Sequence, residues 1–480
     1  MNFFEKIFSQ EVKLNPDLPA IITRHNLLSY SELKEKAISA SEFLSGKQIN
    51  KNEPVAILSD NNPDFIILTL ALWLIDAIPV PINTKLRSGE IQQLLEIAGC
   101  KKIFIHKSCG NDPQLTSIDK LNFPSESTAA TGNGYPPKLD LENTAVIIFT
   151  SGSSGIPKGV MLSFSNLVRS AEIGNLVLQQ SEKDRWLASL PFYHIGGFSI
   201  ITRAFLYEAA LIIPESLGTK DLKFSFENQN PTLASLVSTQ LKRLIELKTN
   251  PGKELKNLLL GGGFVNNDLV KTAINNGWKI SKVYGSSETS SFVTMIGGKE
   301  VFQKMDSSGK ILPPNEIYIL GESGQKLPAG KSGEIVVKSD SVMKGYINNE
   351  KETSNKLKEG MYFSGDIGYL DEEGYLFVEA RRNDLIISGG ENINPLEVQK
   401  AILENPDIKD CYVFGLEDKT WGHIVTAVVV KSNDTNIILK EYLGSKIAGY
   451  KIPKKIIYVD QIPKTSLGKI EKEKVRDLFN

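Results

Sequence analysis

Apolar residues in this chain fall into short unbroken runs that alternate with amphipathic stretches. From "LSYSELKEKAISASEFL" through "PVAILSDNNPDFIILTLALWLIDAIPVPINT", helical spacing and strand-like runs follow one another. That alternation predicts an α/β architecture with a substantially parallel sheet. Phe65 to Ile75 is interrupted only by Thr69, which predicts a buried helix too short to span a bilayer. "TAVIIF", from Thr144 to Phe149, predicts a buried strand, and "SNLVRSAEIGNLVL" a helix capped by Ser163 or Ser165. The polar stretch from Asn111 to Lys138 reads as a surface excursion, and the N-terminal "MNFFEKIFSQEVKLNPD" as a helix rather than a signal peptide.

Near Ala380 the pattern changes. "GYLFVEARRNDLIISGGENINPLEVQKAILEN" predicts a strand, a charged break, a short strand and a helix. Asn394 is placed to cap that helix, Pro395 fits its first position, and Glu397 is where a capping-box partner belongs. "DCYVFGL", "HIVTAVVVKS" and "KKIIYVD" then predict strands, with a helix around "IILKEYLGSKI". The expected organisation is a large N-terminal α/β domain of packed αβ-layered sheets, residues 1–382, and a small mobile α+β domain, residues 383–480.

Composition narrows the class. The chain has 480 residues, 41% hydrophobic and 23% charged, with a formal net charge of -1. Such a balance attracts neither nucleic acid nor an anionic membrane. Cys100, Cys109 and Cys411 have no metal-ligand spacing and are too scattered for a disulfide framework, which fits a reducing cytoplasm.

The chemistry concentrates in a few stretches. "FTSGSSGIPKGVMLSFSN", Phe149 to Asn166, reads as a Gly/Ser-rich loop between a strand and a helix, a place where backbone N–H groups cradle phosphate. It is not a Walker A loop, because Lys158 is preceded by Pro157 and followed by Gly159. A flexible surface connection is the ordinary alternative. "LLLGGG" ends in Gly262 and Gly263, which permit close approach of a flat base. "VYGSSETS" offers the Tyr284 ring, Gly285, the Glu288 carboxylate as a hard Mg²⁺ ligand and the Thr289 hydroxyl. "YFSGDIG" presents Asp366 on a Gly-flanked turn, and "PKTSLGKI" presents Lys469. Each of these alone is more often a turn, cap or surface residue.

In order and spacing, "TSGSSGIPKGV", "YGSSET", "YFSGDIG", "RRNDLIISGGENINP" and "PKTSLGKI" resemble the signature motifs of the adenylate-forming acyl-CoA ligase superfamily, over nearly the whole chain. The resemblance implies a carboxylic acid attacking the α-phosphate of ATP, followed by rotation of the small domain and displacement of AMP by the thiol of coenzyme A. It assigns Thr150, Ser151, Gly152, Ser153, Ser154, Gly155 and Lys158 to the β- and γ-phosphates. Thr289 falls to the α-phosphate, Glu288 to Mg²⁺, and Asp366 and Arg381 to the ribose. Lys469 bridges ribose and the transferring phosphate. Gly389 and Gly390, in "SGGEN", lie beside the pantetheine. The usual hinge position holds Asn383, with Asp384 beside it, and Ala380 stands where relatives carry glycine.

The segment "SLPFYHIGGFSIITRAFLYEAALIIP" bears on the acid. His194 precedes Gly196 and Gly197, and Arg203 sits in an apolar run. A buried arginine needs a partner. A substrate carboxylate and an internal pair with Glu208 both remain open, as does a core role for His194. With "LLLGGG" and "DKTWGH", this segment is similar to the 2-succinylbenzoate-CoA ligases of menaquinone biosynthesis. That similarity implies a dicarboxylate substrate held by His194, Arg203 and Ser287, with His194 also near the reacting atoms. Ser290 and Ser291 are expected to add hydroxyls. Medium-chain or aryl acids are the alternative substrates, and a non-catalytic nucleotide-binding homologue the alternative class. The sequence leaves self-association undecided.

Overall fold

The computed structural model describes residues 17–109, 114–124, 140–150, 157–263, 265–381, 386–388, 391–418, 422–432, 438–444, 446–447, 449–465 and 470–479. The chain forms two compact units, Met1–Glu316 with Val337–Tyr362, and Ile317–Val336 with Phe363–Asn480. Residues 363–382 thus group with the C-terminal residues, whereas the sequence pattern set the boundary at 382/383. Among the described residues no helix is long and apolar enough to cross a membrane.

Three sheets build the first unit. In the four-stranded sheet, Ile78–Ile82, Pro54–Leu58, Lys102–Ile105 and Asp119–Asn122 lie in that order, all parallel. The last strand falls within the polar stretch 111–138 read as a surface excursion, and three of its four residues are exposed. Helix Pro63–Leu74 is the expected buried helix: Asn62 caps it by accepting the Phe65 N–H at 2.8 Å, and the Thr69 hydroxyl donates to the Phe65 carbonyl at 2.8 Å. The largest sheet runs through Gly309–Ile311, Ser291–Gly297, Ile280–Ser286, Asn257–Leu260, Leu233–Leu236, Arg185–Leu187 and Ala210–Ile212. Its four central pairings, from Ile280–Ser286 to Ala210–Ile212, are parallel, as a crossover α/β pattern requires.

The third sheet corrects the sequence reading. Thr144–Thr150 is followed by an antiparallel partner strand, Lys158–Ser163, before helix Phe164–Leu178 begins. Lys158–Ser163 therefore pairs back along Thr144–Thr150, and the helix begins only after it. "KGVMLS" pairs along its whole length because Val160 and Leu162 are both fully buried. Ser163 is the cap, joined to Asn166 in a reciprocal capping box.

Glu316–Leu320, Gly333–Lys338, Met361–Leu370 and Tyr375–Arg381, most of whose residues belong to the second unit, lie side by side. A five-stranded sheet of Glu391–Ile393, Ile386–Ser388, Gly422–Lys431, Ile408–Asp418 and Lys455–Tyr458 packs on helix Pro395–Leu403. Asn394 caps that helix as expected, accepting from the Leu396 N–H at 2.8 Å. Glu397 does not close a capping box, because both its oxygens accept from Lys451, at 2.6 and 2.8 Å.

Candidate functional site

Thr150 and Lys158 face each other at the mouth of the hairpin. Ser151, Gly152, Ser153, Ser154 and Gly155 lie outside the described residues. A second strand, Gly345–Tyr346, pairs with the outer edge of Lys158–Ser163 and brings helix Glu350–Lys356 alongside. The Lys158 ammonium consequently forms an ion pair with Glu352, 194 residues away in sequence. Burial pushes the Glu352 carboxyl up, but hydrogen bonding and charge from Lys158 carry it below the usual carboxylate value. Glycine is required at 159: a side-chain carbon there would stand 2.7 Å from the Ile347 methyl.

The stretch from Tyr284 to Ser291 turns tightly between two antiparallel strands, Ile280–Ser286 and Ser291–Gly297. Ser287, Glu288 and Thr289 make one turn of 3-10 helix. Thr289 is 2% exposed, and its hydroxyl accepts from the Ser286 N–H at 2.9 Å while facing the Ser291 carbonyl at 3.0 Å. Ser290 and Ser291 have φ of +54° and +112°, conformations that non-glycine residues hold only when their surroundings enforce them. Here Ser170 donates to the Ser290 carbonyl and Ser290 to the Ser341 carbonyl, both at 2.7 Å. Ser290 is thus fully buried with its donor already used, which corrects the expectation of an extra ligand hydroxyl.

Gly285 belongs to this turn for a packing reason. A side-chain carbon there would lie 1.6 Å from the Ser291 carbonyl oxygen, at a register shift in the strand pair. Gly285→Ala is expected to cost at least about 3 kcal/mol, at the upper end for overpacking, and thermal unfolding measures it. An unchanged melting temperature would refute this account of the turn.

Glu288 is 9% exposed. Its Oε1 accepts the Tyr346 hydroxyl at 2.9 Å, and its backbone carbonyl accepts the Met343 N–H at 2.8 Å. No Lys, Arg or His among the described residues pairs with it. Burial first, and then the Glu288 charge, push the Tyr362 phenol well above its ordinary value. A buried carboxylate among phenols, with no counter-cation, is a donor set that fits a hard divalent ion.

Tyr284, half-buried, precedes the turn, and exposed Gly262 and Gly263 follow strand Asn257–Leu260. Gly262 has φ of +83°, whereas a side-chain carbon at Gly263 would meet nothing within 4 Å, so the fold itself does not require glycine there. His194 is the half-buried N-cap of helix Ile195–Leu206 and meets Tyr193 edge-on at 4.7 Å. Gly197 lets that helix start against the Pro191 carbonyl, which an added carbon would approach to 2.1 Å.

Arg203, on the same helix, is 1% exposed. Its guanidinium stacks 4.4 Å above the Phe292 ring, and Nε and Nη2 have no hydrogen-bond partner. Burial alone pulls this group down to about 9. Glu208 makes no ion pair with it, so the internal-pair alternative does not hold. Ser199, one helical turn before Arg203, also buries an unpartnered hydroxyl.

In the second unit, Asp366 lies within strand Met361–Leu370 rather than on a turn, directly opposite Arg381. The glycine beside it acts as a bend: Gly365 has φ of +77°, and the Ser364 hydroxyl accepts the Asp366 N–H at 3.0 Å. Asn383, Asp384, Gly389, Gly390 and Lys469 lie outside the described residues. Sequence reasoning missed Tyr346, Glu352, Phe292, Ser170 and Ser341, none of which stands in a motif it used.

The AMP-binding enzyme family model matches residues 8–347, and the AMP-binding enzyme C-terminal domain matches residues 397–469. The 2-succinylbenzoate--CoA ligase of Bacillus cereus is 32% identical over 475 residues, covering 98% of this chain and 97% of its own. The o-succinylbenzoate CoA synthetase of Bacillus subtilis, solved with the acyl-adenylate intermediate, superposes with a TM-score of 0.87 at 30% identity, over 99% of this chain and 98% of that one. The same enzyme with ATP and magnesium ion also gives 0.87 at 30% identity, over 99% of each chain. With motifs, fold and full-length similarity in agreement, this chain belongs to the AMP-binding enzyme family.

Proposed function

We propose that the chain is an ATP- and Mg²⁺-dependent acid-CoA ligase that acts in the cytoplasm on 2-succinylbenzoate, in menaquinone biosynthesis. One carboxylate oxygen of the acid forms a bond to the α-phosphorus as the bond to pyrophosphate breaks. The thiolate of coenzyme A then forms the thioester and AMP leaves. The observation that carries the choice of acid is Arg203, a buried cation with unpaired Nε and Nη2. A charge taken from water without a partner costs several kcal/mol. A substrate with a second carboxylate supplies that partner, which octanoate and benzoate cannot. The names and bound adenylate of the relatives support the same choice.

Lys158 and Thr150 hold the outgoing pyrophosphate in this reading, with Ser151 to Gly155, and Lys158 exchanges Glu352 for phosphate when ATP arrives. Thr289 and Tyr284 flank the nucleotide, Asp366 and Arg381 bind ribose, and His194, Ser287 and Arg203 take the acid. Glu288 would hold Mg²⁺, which when bound would supply positive charge to the phosphates. Residues from 383 onward serve both half-reactions, Lys469 in the first and Gly389 and Gly390 in the second.

The test is carboxylate-dependent release of AMP and formation of thioester with ATP, Mg²⁺ and coenzyme A. The expected result is a kcat/KM for 2-succinylbenzoate at least about 100-fold above those for octanoate and benzoate, the scale of one buried charge left unpaired. Preference for octanoate or benzoate would retain the ligase and remove the dicarboxylate. No AMP from any acid would favour a non-catalytic homologue.

A further inference from the structure

We infer that Tyr346 is a positioning residue for the metal, setting the Glu288 carboxylate in the orientation that receives Mg²⁺. This rests on the reading of Glu288 as the Mg²⁺ ligand. A glutamate carboxylate turns freely about its last side-chain bond unless something holds one oxygen. Tyr346 supplies that hold, its hydroxyl donating to Oε1 at 2.9 Å. The other oxygen makes no hydrogen bond to a described residue.

The phenol is itself rigidly placed. Tyr346 is 4% exposed, pairs with Val160 across the strand, and donates its N–H to the Thr353 hydroxyl at 2.9 Å. Three residues earlier, the Met343 N–H holds the Glu288 backbone carbonyl. One short segment therefore fixes both main chain and side chain of Glu288. The same ring faces the Lys158 ammonium at 5.5 Å, and the helix that follows carries Glu352, the Lys158 partner. The segment from 343 to 353 thus sets the metal-side carboxylate and the phosphate-side lysine against a common reference.

A hydrogen bond to a charged group accounts for roughly ten- to hundredfold in an equilibrium. Only the part that depends on metal is at stake here, so about tenfold is expected. The experiment measures ATP affinity calorimetrically, without acid or coenzyme A, in EDTA and in excess Mg²⁺. Tyr346→Phe keeps the ring and removes the hydroxyl. It is expected to reduce the enhancement of ATP binding by Mg²⁺ about tenfold while leaving affinity in EDTA unchanged.

Glu288→Gln separates the two levels of the argument. If that variant keeps the full Mg²⁺ enhancement, Glu288 is not the ligand and the underlying reading fails together with this one. If Glu288→Gln loses the enhancement but folded Tyr346→Phe retains it, the role of Tyr346 alone is overturned. Should Tyr346→Phe not fold, 3-fluorotyrosine at position 346 decides, because it keeps the ring and alters how strongly the phenol donates to Glu288. A changed enhancement in that variant supports the assignment, and an unchanged one overturns it.

Discussion

Arg203→Met is expected to raise the thermal stability of the ligand-free protein and, in the same variant, to raise KM for 2-succinylbenzoate by about 100-fold or more, the scale of a broken buried charge pair. The two effects have one origin. In the free protein the guanidinium is 1% exposed, and no carboxylate among the described residues compensates it. Its stacking on Phe292 recovers about 2 kcal/mol, a part of an effective desolvation penalty of several kcal/mol. Methionine fills a similar volume without the charge, so the variant gains about 1–3 kcal/mol. In the proposed complex with the dicarboxylate the balance is expected to reverse, because the second carboxylate of the acid would lose its cation. Thermal melts and steady-state kinetics on one preparation decide the matter. A fall in stability with unchanged KM would return Arg203 to a purely structural role.

Lys469→Ala is expected to lower the rate of adenylation by about 1,000-fold, comparable with the loss of a preorganised group that stabilises developing charge. The same variant is expected to form thioester from preformed acyl-AMP at a rate within a few-fold of the unaltered enzyme. In the role proposed for Lys469 the ammonium would act on the phosphate only while the bond to pyrophosphate breaks, so its removal would spare the second step. Lys469 is the last residue matched by the AMP-binding enzyme C-terminal domain, and it stands in "PKTSLGKI". Pyrophosphate exchange measures the first step and mass-resolved thioester formation the second. Loss of both steps in a folded variant would contradict the role given to Lys469.

What could be read in the amino-acid order follows a rule of range. Asn394, and Ser163 of the pair Ser163 or Ser165, satisfy N–H groups two or three residues ahead, and such caps depend on little beyond the local chain. Parallel strands in "PVAIL" and "IPVPI", the buried Pro63–Leu74 helix and the family motifs were legible for the same reason. The hairpin at Lys158 was not, because "KGVMLS" is short and apolar, and only pairing with Thr144–Thr150 on one side and Gly345–Tyr346 on the other makes it a strand.

Partners were harder still. Glu397 fits a capping box by spacing, yet Lys451, 54 residues on, outcompetes the cap with a charge. Lys158 meets Glu352 across 194 residues, and Glu288 meets Tyr346 across 58. Nothing local signals such pairs, since they arise only when elements distant in sequence pack together. By itself the sequence determined the α/β class, the helix start at Asn394 and the family. Only tertiary structure decided that Arg203 is a buried charge without a partner and that Tyr346 holds Glu288, because desolvation and long-range hydrogen bonds exist only once the core has closed.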